Sequence, residues 1–414
     1  MQQEKRLRIG VDARPLCLPV SGVARIIQKV IQYVEPERFW FELHAQNPPH
    51  SDYDELLKRS DVEWIQGQGA LSRTGATDFN VRLPAELRKN PPDVFWGTQQ
   101  VLPPALPAGT GAVLTFHDFV AYRFPDSMRR LARWQQKSVQ GYSIKRADCI
   151  LANSQQTRRE ILDRYKYPAD QILVAYPGME KPSRKLPEVS EEFLAQISEP
   201  DARMVASHRR NRNAKAQVVP PFMLACSTIE PRKNYRTLLD AYEKYCELGA
   251  QEGRTPLGLV IAGRRGWESG ELFQKLEDME RRLPGLHWPY QGKGVSDEEL
   301  DWLYRNCAYF VMPSLYEGFG IPLLEAMAHG KHALVSNLSC FHEIADHHAE
   351  YLDPMDVKGW AYGMLEMQVR QSKKKLSSFR PARGQWTWEN TANMHARAFE
   401  QSSAKMSDSR NQIS

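Results

Sequence analysis

No apolar run in this 414-residue chain approaches a membrane span, and Met1–Arg8 is polar and charged, without the hydrophobic segment of a secretory signal. Both lacks predict a cytoplasmic protein. No Cys-x-x-Cys pair occurs. The six cysteines (Cys17, Cys149, Cys226, Cys246, Cys307 and Cys340) are scattered, most of them inside apolar segments, so buried reduced thiols are expected. Neither Gly-x-x-x-x-Gly-Lys-Ser/Thr nor Gly-x-Gly-x-x-Gly is present, which leaves P-loop ATPase and dehydrogenase chemistry without a motif. Internal repeats and long low-complexity tracts are also missing. The net charge of +5 is mild; it suits anionic substrates or an anionic membrane surface and dictates neither.

What is there describes a soluble globular enzyme, with 42% apolar and 25% charged residues in a chain long enough for two domains. Strand and helix patterns alternate throughout, which argues α/β with parallel sheets. Strands are predicted at Arg8–Asp12, Asp93–Gly97, Ala112–Phe116, Cys149–Asn153 and Ile172–Tyr176. A second series covers Phe222–Cys226, Leu257–Ala262, Leu286–Tyr290, Ala308–Met312, Ala333–Ser336 and Glu350–Leu352. A helix is predicted over Gly22–Val34, where Val23, Ile26, Ile27, Val30, Ile31 and Val34 share one face. Residues 181–219 turn polar and Pro-flanked around His208-Arg209-Arg210-Asn211-Arg212 and read as a linker. The division is then 1–180, a linker 181–219, 220–385, and a helical tail 386–414. Two doubly wound domains facing a cleft would bind ligands at the carboxyl ends of their strands.

The most informative run is Glu317-Gly318-Phe319-Gly320-Ile321-Pro322-Leu323-Leu324-Glu325-Ala326-Met327, which follows the apolar stretch Ala308–Met312. Pro322 suits a first helical turn and Gly330 a helix end. With two glycines between the glutamates, the pattern predicts Glu317 in a tight loop and Glu325 on the opening turn of the helix. Such a loop can aim backbone N–H groups at an anion while two carboxylates reach ligand hydroxyls. This is a site for a phosphorylated sugar compound.

Other segments add to it. In Ser227–Asn234, Arg232 and Lys233 follow a strand and can neutralise a diphosphate, or form an ordinary solvated loop pair. Gly263, Arg264, Arg265, Gly266 and Trp267 form a turn that is either a pocket wall or a plain strand–helix connection. His117 closes the strand ending at Phe116, where a catalytic role competes with that of a satisfied core histidine. Gly22 can let backbone approach a ligand at a helix N-terminus, although Ser21 would cap that helix in any case. His342, Glu343, His347 and His348 lack the spacing of a metal site, because His342 and His347 fall on different helix faces. Asp52-Tyr53-Asp54 follows no strand, and the basic run near Arg209 lacks the interleaved aromatics of a nucleic-acid surface. The basic segment 127–146 is either a membrane-surface helix or an ordinary charged one.

Taken together these motifs resemble the retaining glycosyltransferases of family 4, which have the GT-B fold, and in particular their mannosyltransferase branch. The likeness rests on Glu317–Glu325, Ile9–Arg14, Ser21–Arg25, His117-Asp118, Ala152-Asn153-Ser154, Glu230–Asn234, Gly263–Trp267 and Trp388-Glu389. The resemblance implies two Rossmann-like domains, with the C-terminal helix returning to the N-terminal one. It implies that Glu325 holds the ribose of a sugar nucleotide and that Glu317 contacts the transferred sugar. Gly318, Phe319, Gly320 and Ile321 would line the sugar and diphosphate, and Arg232 and Lys233 would stabilise the departing diphosphate. His117 would contact the donor sugar and Gly22 the phosphates, with Gly263 and Arg264 at the edge of the nucleotide pocket. No metal or other cofactor is implied. The donor expected is GDP-mannose and the acceptor a lipid-linked or oligosaccharide glycan, as in O-antigen or exopolysaccharide synthesis, with peripheral contact at the inner membrane face. Two features depart from the family pattern: Ser227-Thr228 where glycine–arginine is common, and Gly292-Lys293-Gly294-Val295 where an aromatic residue is usual. A sugar-nucleotide epimerase of the same architecture and a silent glycan- or nucleotide-binding partner are the rival readings.

Overall fold

Leu7–Asp12 (β1) runs parallel to Phe39–Ala45 (β2) on one side and Val94–Gly97 (β4) on the other. Its last four residues are buried, as expected for a central strand covered on both faces. Val62–Gln66 (β3), Gly111–Phe116 (β5), Cys149–Ala152 (β6) and Ile172–Val174 (β7) complete an all-parallel sheet in the order β3-β2-β1-β4-β5-β6-β7. The computed structural model describes residues 6–124, 139–180, 182–198, 219–266, 270–283, 285–373 and 385–411. A second parallel sheet is formed by Phe222–Cys226 (β8), Gly258–Ala262 (β9), Leu286–His287 (β10), Phe310–Met312 (β11), Ala333–Ser336 (β12) and Ala349–Leu352 (β13), in the order β10-β9-β8-β11-β12-β13. In both sheets the strand order reverses beside the first strand, which is the doubly wound pattern predicted.

The chain divides into one unit of Met1–Met179 with Ala382–Ser414 and a second of Glu180–Pro381. The predicted return of the C-terminal helix is found: Trp388–Asn411 packs on the first unit. Its Phe399 meets Phe39, Phe41 and Trp96 with ring centroids 5.9, 6.4 and 5.6 Å away. Thr391 Oγ1 donates to the Tyr176 carbonyl at 2.6 Å. Helix Gly22–Tyr33 packs beside the C-terminal helix in the same core, burying Ile26, Ile27, Val30 and Ile31. The second unit has its own core around Tyr242, Tyr245, Trp288, Tyr309 and Trp360.

Some predicted boundaries shift for physical reasons. The strand expected over Leu286–Tyr290 stops at His287, because Pro289 has no N–H and Tyr290 and Gln291 turn left-handed at φ 54° and 50°. Within the stretch read as linker, Glu191–Gln196 is a short helix capped by Ser190. Its Phe193 is buried against Trp302, with centroids 5.9 Å apart, so this piece belongs to the packing of the second unit. The basic cluster 208–212 lies outside the described residues, as do 127–138 of the basic segment, whose end at 139–146 is helical. Among the described residues no helix is long and apolar enough to cross a membrane.

Candidate functional site

In the second sheet the order reverses between β8 and β11, and the loops leaving these two strands carry the charged residues singled out from sequence. Arg232 Nη1 donates to Glu317 Oε2 at 2.6 Å, and Lys233 Nζ to Glu317 Oε1 at 2.5 Å. Ser314 Oγ adds a third bond to Oε1 at 2.8 Å, and the Leu315 amide joins the loops by donating to the Arg232 carbonyl at 2.7 Å. Glu317 is only 5% exposed and Lys233 8%. Burial by itself would push the Glu317 carboxyl up, but Lys233 and Arg232 beside it outweigh burial and hold it at about 2. Arg232 also pairs with Glu230 at 2.7 Å. The two cations predicted for a diphosphate are therefore balanced by two carboxylates.

Asn234 fixes the cationic loop from below. It adopts φ 57°, and its Nδ2 donates to the carbonyls of Pro313 at 3.0 Å and Pro354 at 2.7 Å. Across from it, the loop 313–320 ends at Gly320, whose φ of 123° only glycine adopts readily. A Cβ there would lie 2.7 Å from the Phe341 ring. Helix Ile321–Ala328 starts immediately, so the first-turn N–H of Ile321 has no intrahelical acceptor. Gly318 and Phe319 precede it in the loop, with Phe319 buried. Glu325 is the fifth residue of this helix, one turn deeper than the opening turn predicted, because the helix begins at Ile321. The Tyr304 hydroxyl donates to Glu325 Oε2 at 3.0 Å.

The turn after β9 lies beside the loop after β8. A Cβ on Gly263 would meet the Ser227 carbonyl oxygen at 2.4 Å, so loop packing alone demands glycine here. The Ile229 amide donates to the Arg264 carbonyl at 2.9 Å. The two arginines differ in role. Arg265 pairs with Glu277 at 2.5 Å and lies 4.7 Å over the Trp288 ring, whereas the Arg264 side chain is exposed. Trp267 lies outside the described residues. A cavity of about 580 Å³ bordered by Trp302, Arg305, Ala328 and His329 sits at the carboxyl end of helix Ile321–Ala328, the far end from Gly320.

His117 and Gly22 belong to the first unit. His117 follows β5, and its Nε2 meets the Thr98 carbonyl at 2.7 Å. A carbonyl only accepts, so Nε2 carries the proton and Nδ1 is left as an acceptor. Burial lowers the His117 pKa, against the opposing effects of the Thr98 bond and Asp118. Gly22 opens helix Gly22–Tyr33, and Ser21 Oγ accepts from the Ala24 amide at 3.3 Å, so the capping reading is realised. Asp12, fully buried, is held by two bonds of 2.8 Å from Arg14. Among the described residues no group of three His, Cys, Asp or Glu side chains is arranged to hold a metal ion.

Sequence reasoning missed Glu230, Asn234, Tyr304, Ser314 and His329. Glu230, Asn234 and Ser314 sat within or beside segments already singled out, at carboxyl ends of strands. Tyr304 and His329 carried no signal, since only the fold brings helix Asp297–Asn306 against Glu325.

Residues 208–368 match the model of glycosyl transferases group 1, and residues 20–181 match glycosyltransferase family 4. The chain is 31% identical over 296 residues to O-antigen chain mannosyltransferase B of Escherichia coli, covering 70% of each sequence. The chain belongs to glycosyltransferase family 4. Another relative of this glycosyltransferase is the O-antigen chain mannosyltransferase RfbU of Salmonella typhimurium strain LT2, 24% identical across 70% of the chain and 69% of RfbU. Among solved structures, WaaG, a glycosyltransferase involved in lipopolysaccharide biosynthesis, superposes with a TM-score of 0.59 at 15% identity, covering 97% of this chain and 98% of WaaG. Anabaena HepE in complex with UDP and glucose gives a TM-score of 0.57 at 15% identity, over 99% of both chains. These neighbours establish the fold as GT-B.

Proposed function

We propose that this glycosyltransferase moves mannose from GDP-mannose to a lipid-linked or oligosaccharide acceptor, with retention of anomeric configuration, in O-antigen or related cell-surface glycan synthesis. The observation that carries the reading is the ion cluster of Arg232, Lys233 and Glu317 at the reversal point of the second sheet. The choice of mannose is supported by the names of the relatives in Escherichia coli and Salmonella. Glu325, half-buried in the helix that follows, is the group assigned to the ribose hydroxyls.

In the proposed step the bond between the anomeric carbon and the phosphate oxygen breaks, and its electron pair stays on the diphosphate. The acceptor hydroxyl oxygen bonds to the same face of the sugar, and its proton passes to a phosphate oxygen. Arg232 and Lys233 stabilise the charge gathering on that diphosphate, which is where such a site lowers the barrier most. Glu317, held at about 2, is a poor proton acceptor near neutrality. Its part is to orient the cations and accept from sugar hydroxyls. In the second unit, Gly263, Arg264, Gly318, Phe319, Gly320 and Ile321 line the donor. No metal takes part in this reading. A lipid-linked acceptor brings the enzyme to the cytoplasmic membrane face.

The test is incubation with radiolabelled GDP-mannose or UDP-sugars, with and without a lipid-linked acceptor, followed by NMR of the product linkage. Transfer from GDP-mannose with an α-linkage is expected. Transfer only from a UDP-sugar refutes the donor, and conversion of donor without acceptor favours an epimerase.

A further inference from the structure

Behind Glu325 stands a chain of polar contacts that the proposed chemistry does not use. The Tyr304 hydroxyl reaches Glu325 Oε2 at 3.0 Å and the Pro322 carbonyl at 3.3 Å, with the Cys226 thiol also beside it. The Tyr304 ring lies parallel to that of His329, with centroids 5.1 Å apart and a 21° interplanar angle. His329 Nδ1 meets the carbonyl of Glu325 itself at 2.8 Å, and its Nε2 meets Asp301 Oδ1 at 2.7 Å. Asp301 in turn accepts from Arg305 Nε at 2.7 Å, and Arg305 Nη2 donates to the Ser183 carbonyl at 2.6 Å. Both ring nitrogens of His329 are thus engaged by oxygen atoms, one of the helix backbone and one of Asp301. His329 is itself the residue just past the end of helix Ile321–Ala328.

The consequence is geometric. Glu325 is gripped at its carboxylate by Tyr304 and at its backbone by His329, and both grips come from one packed pair of rings. We propose that Tyr304 and His329 are positioning residues that aim the Glu325 carboxylate at the two ribose hydroxyls of the nucleotide. This rests on the reading of Glu325 as the ribose ligand. Tyr304 is buried and its hydroxyl is held protonated, burial and the nearby Cys226 and Glu325 raising its pKa well above the ordinary value. It therefore acts as a fixed donor, not as an acid. A carboxylate fixed in this way presents its remaining lone pairs in one direction, and a diol needs both of its hydroxyls met together.

The experiment compares binding of GDP and 2′,3′-dideoxy-GDP by calorimetry to the wild-type chain, Tyr304→Phe, His329→Gln and Glu325→Ala. Tyr304→Phe is expected to weaken GDP about tenfold, the scale of one hydrogen bond to a charged group. It should leave dideoxy-GDP within about twofold, because the contact it aims is missing there. Equal weakening of both ligands, or of neither, overturns the positioning role. If Tyr304→Phe does not fold, His329→Gln, which keeps the hydroxyl grip and loses the backbone grip, must show the same selective loss or the proposal fails. Glu325→Ala separates this from failure of the underlying reading: if it does not narrow the gap between GDP and dideoxy-GDP, Glu325 is not the ribose ligand.

Discussion

Replacing Glu317 by glutamine removes the one carboxylate shared by Arg232, Lys233 and Ser314 while keeping its shape. The pKa of Glu317 falls from an ordinary 4.5 to about 2, because its two cationic neighbours outweigh the cost of burial. Each pKa unit is worth about 1.4 kcal/mol, so the charged form stabilises the fold by about 3 kcal/mol relative to the neutral one. The sign follows from which state binds the proton first. As pH falls below 4.5 the unfolded chain takes up a proton that the folded chain refuses. The stabilisation is thus complete above about pH 5 and disappears as pH falls through 4.5 towards 2. Urea unfolding between pH 7 and pH 3, read by a probe in the second unit, should show wild-type stability falling more steeply with acid than that of Glu317→Gln. At pH 7 the variant should be less stable by about 3 kcal/mol, the cost of leaving buried cations without their partner. Parallel pH dependences for the two proteins would refute the reasoning, because they would mean that Glu317 titrates normally in the folded state.

Lys233→Ala should lower kcat by about 10²–10³-fold with little change in acceptor KM, as expected for loss of a donor that stabilises developing charge, checked by steady-state transfer kinetics. Gly320→Ala should cost about 1–3 kcal/mol and lower Tm, since it forces a Cβ into positive φ and against Phe341; thermal melts decide this. His44 is buried with neither ring nitrogen bonded, and burial lowers its pKa to about 4. The unfolded chain is protonated first as pH drops below 6.5, so stability is lost between pH 6.5 and 4, and His44→Leu should flatten that window in denaturant titrations.

Central strands were legible because burial on both faces writes them as unbroken apolar runs, as in Gly111–Phe116 and Gly258–Ala262. β2 and β3 were not. Phe39–Ala45 is interrupted by Glu42 and His44, and only the fold shows that Glu42 is satisfied by Arg8, with bonds of 2.9 and 2.5 Å. Val62–Gln66 is an edge strand with little burial, so its pattern is weak. The charged part of the candidate site could be read from Glu317, Arg232 and Lys233, because each follows a predicted strand at the end where doubly wound sheets bind ligands. Their mutual pairing could not, since it depends on two loops 84 residues apart meeting beside neighbouring strands. The Tyr304–His329 grip was invisible for the same reason.

Helix Trp388–Asn411 supplies Phe399 to a core whose other walls are built from residues between Ile9 and Ala175. On the ribosome, the intervening Glu180–Pro381 must emerge before that wall exists, a delay of about 10–40 s at ordinary elongation speeds. The amino-terminal half is therefore the first to be made and the last to be finished, and a message truncated before Trp388 would yield a protein whose opening sheet lacks its lid.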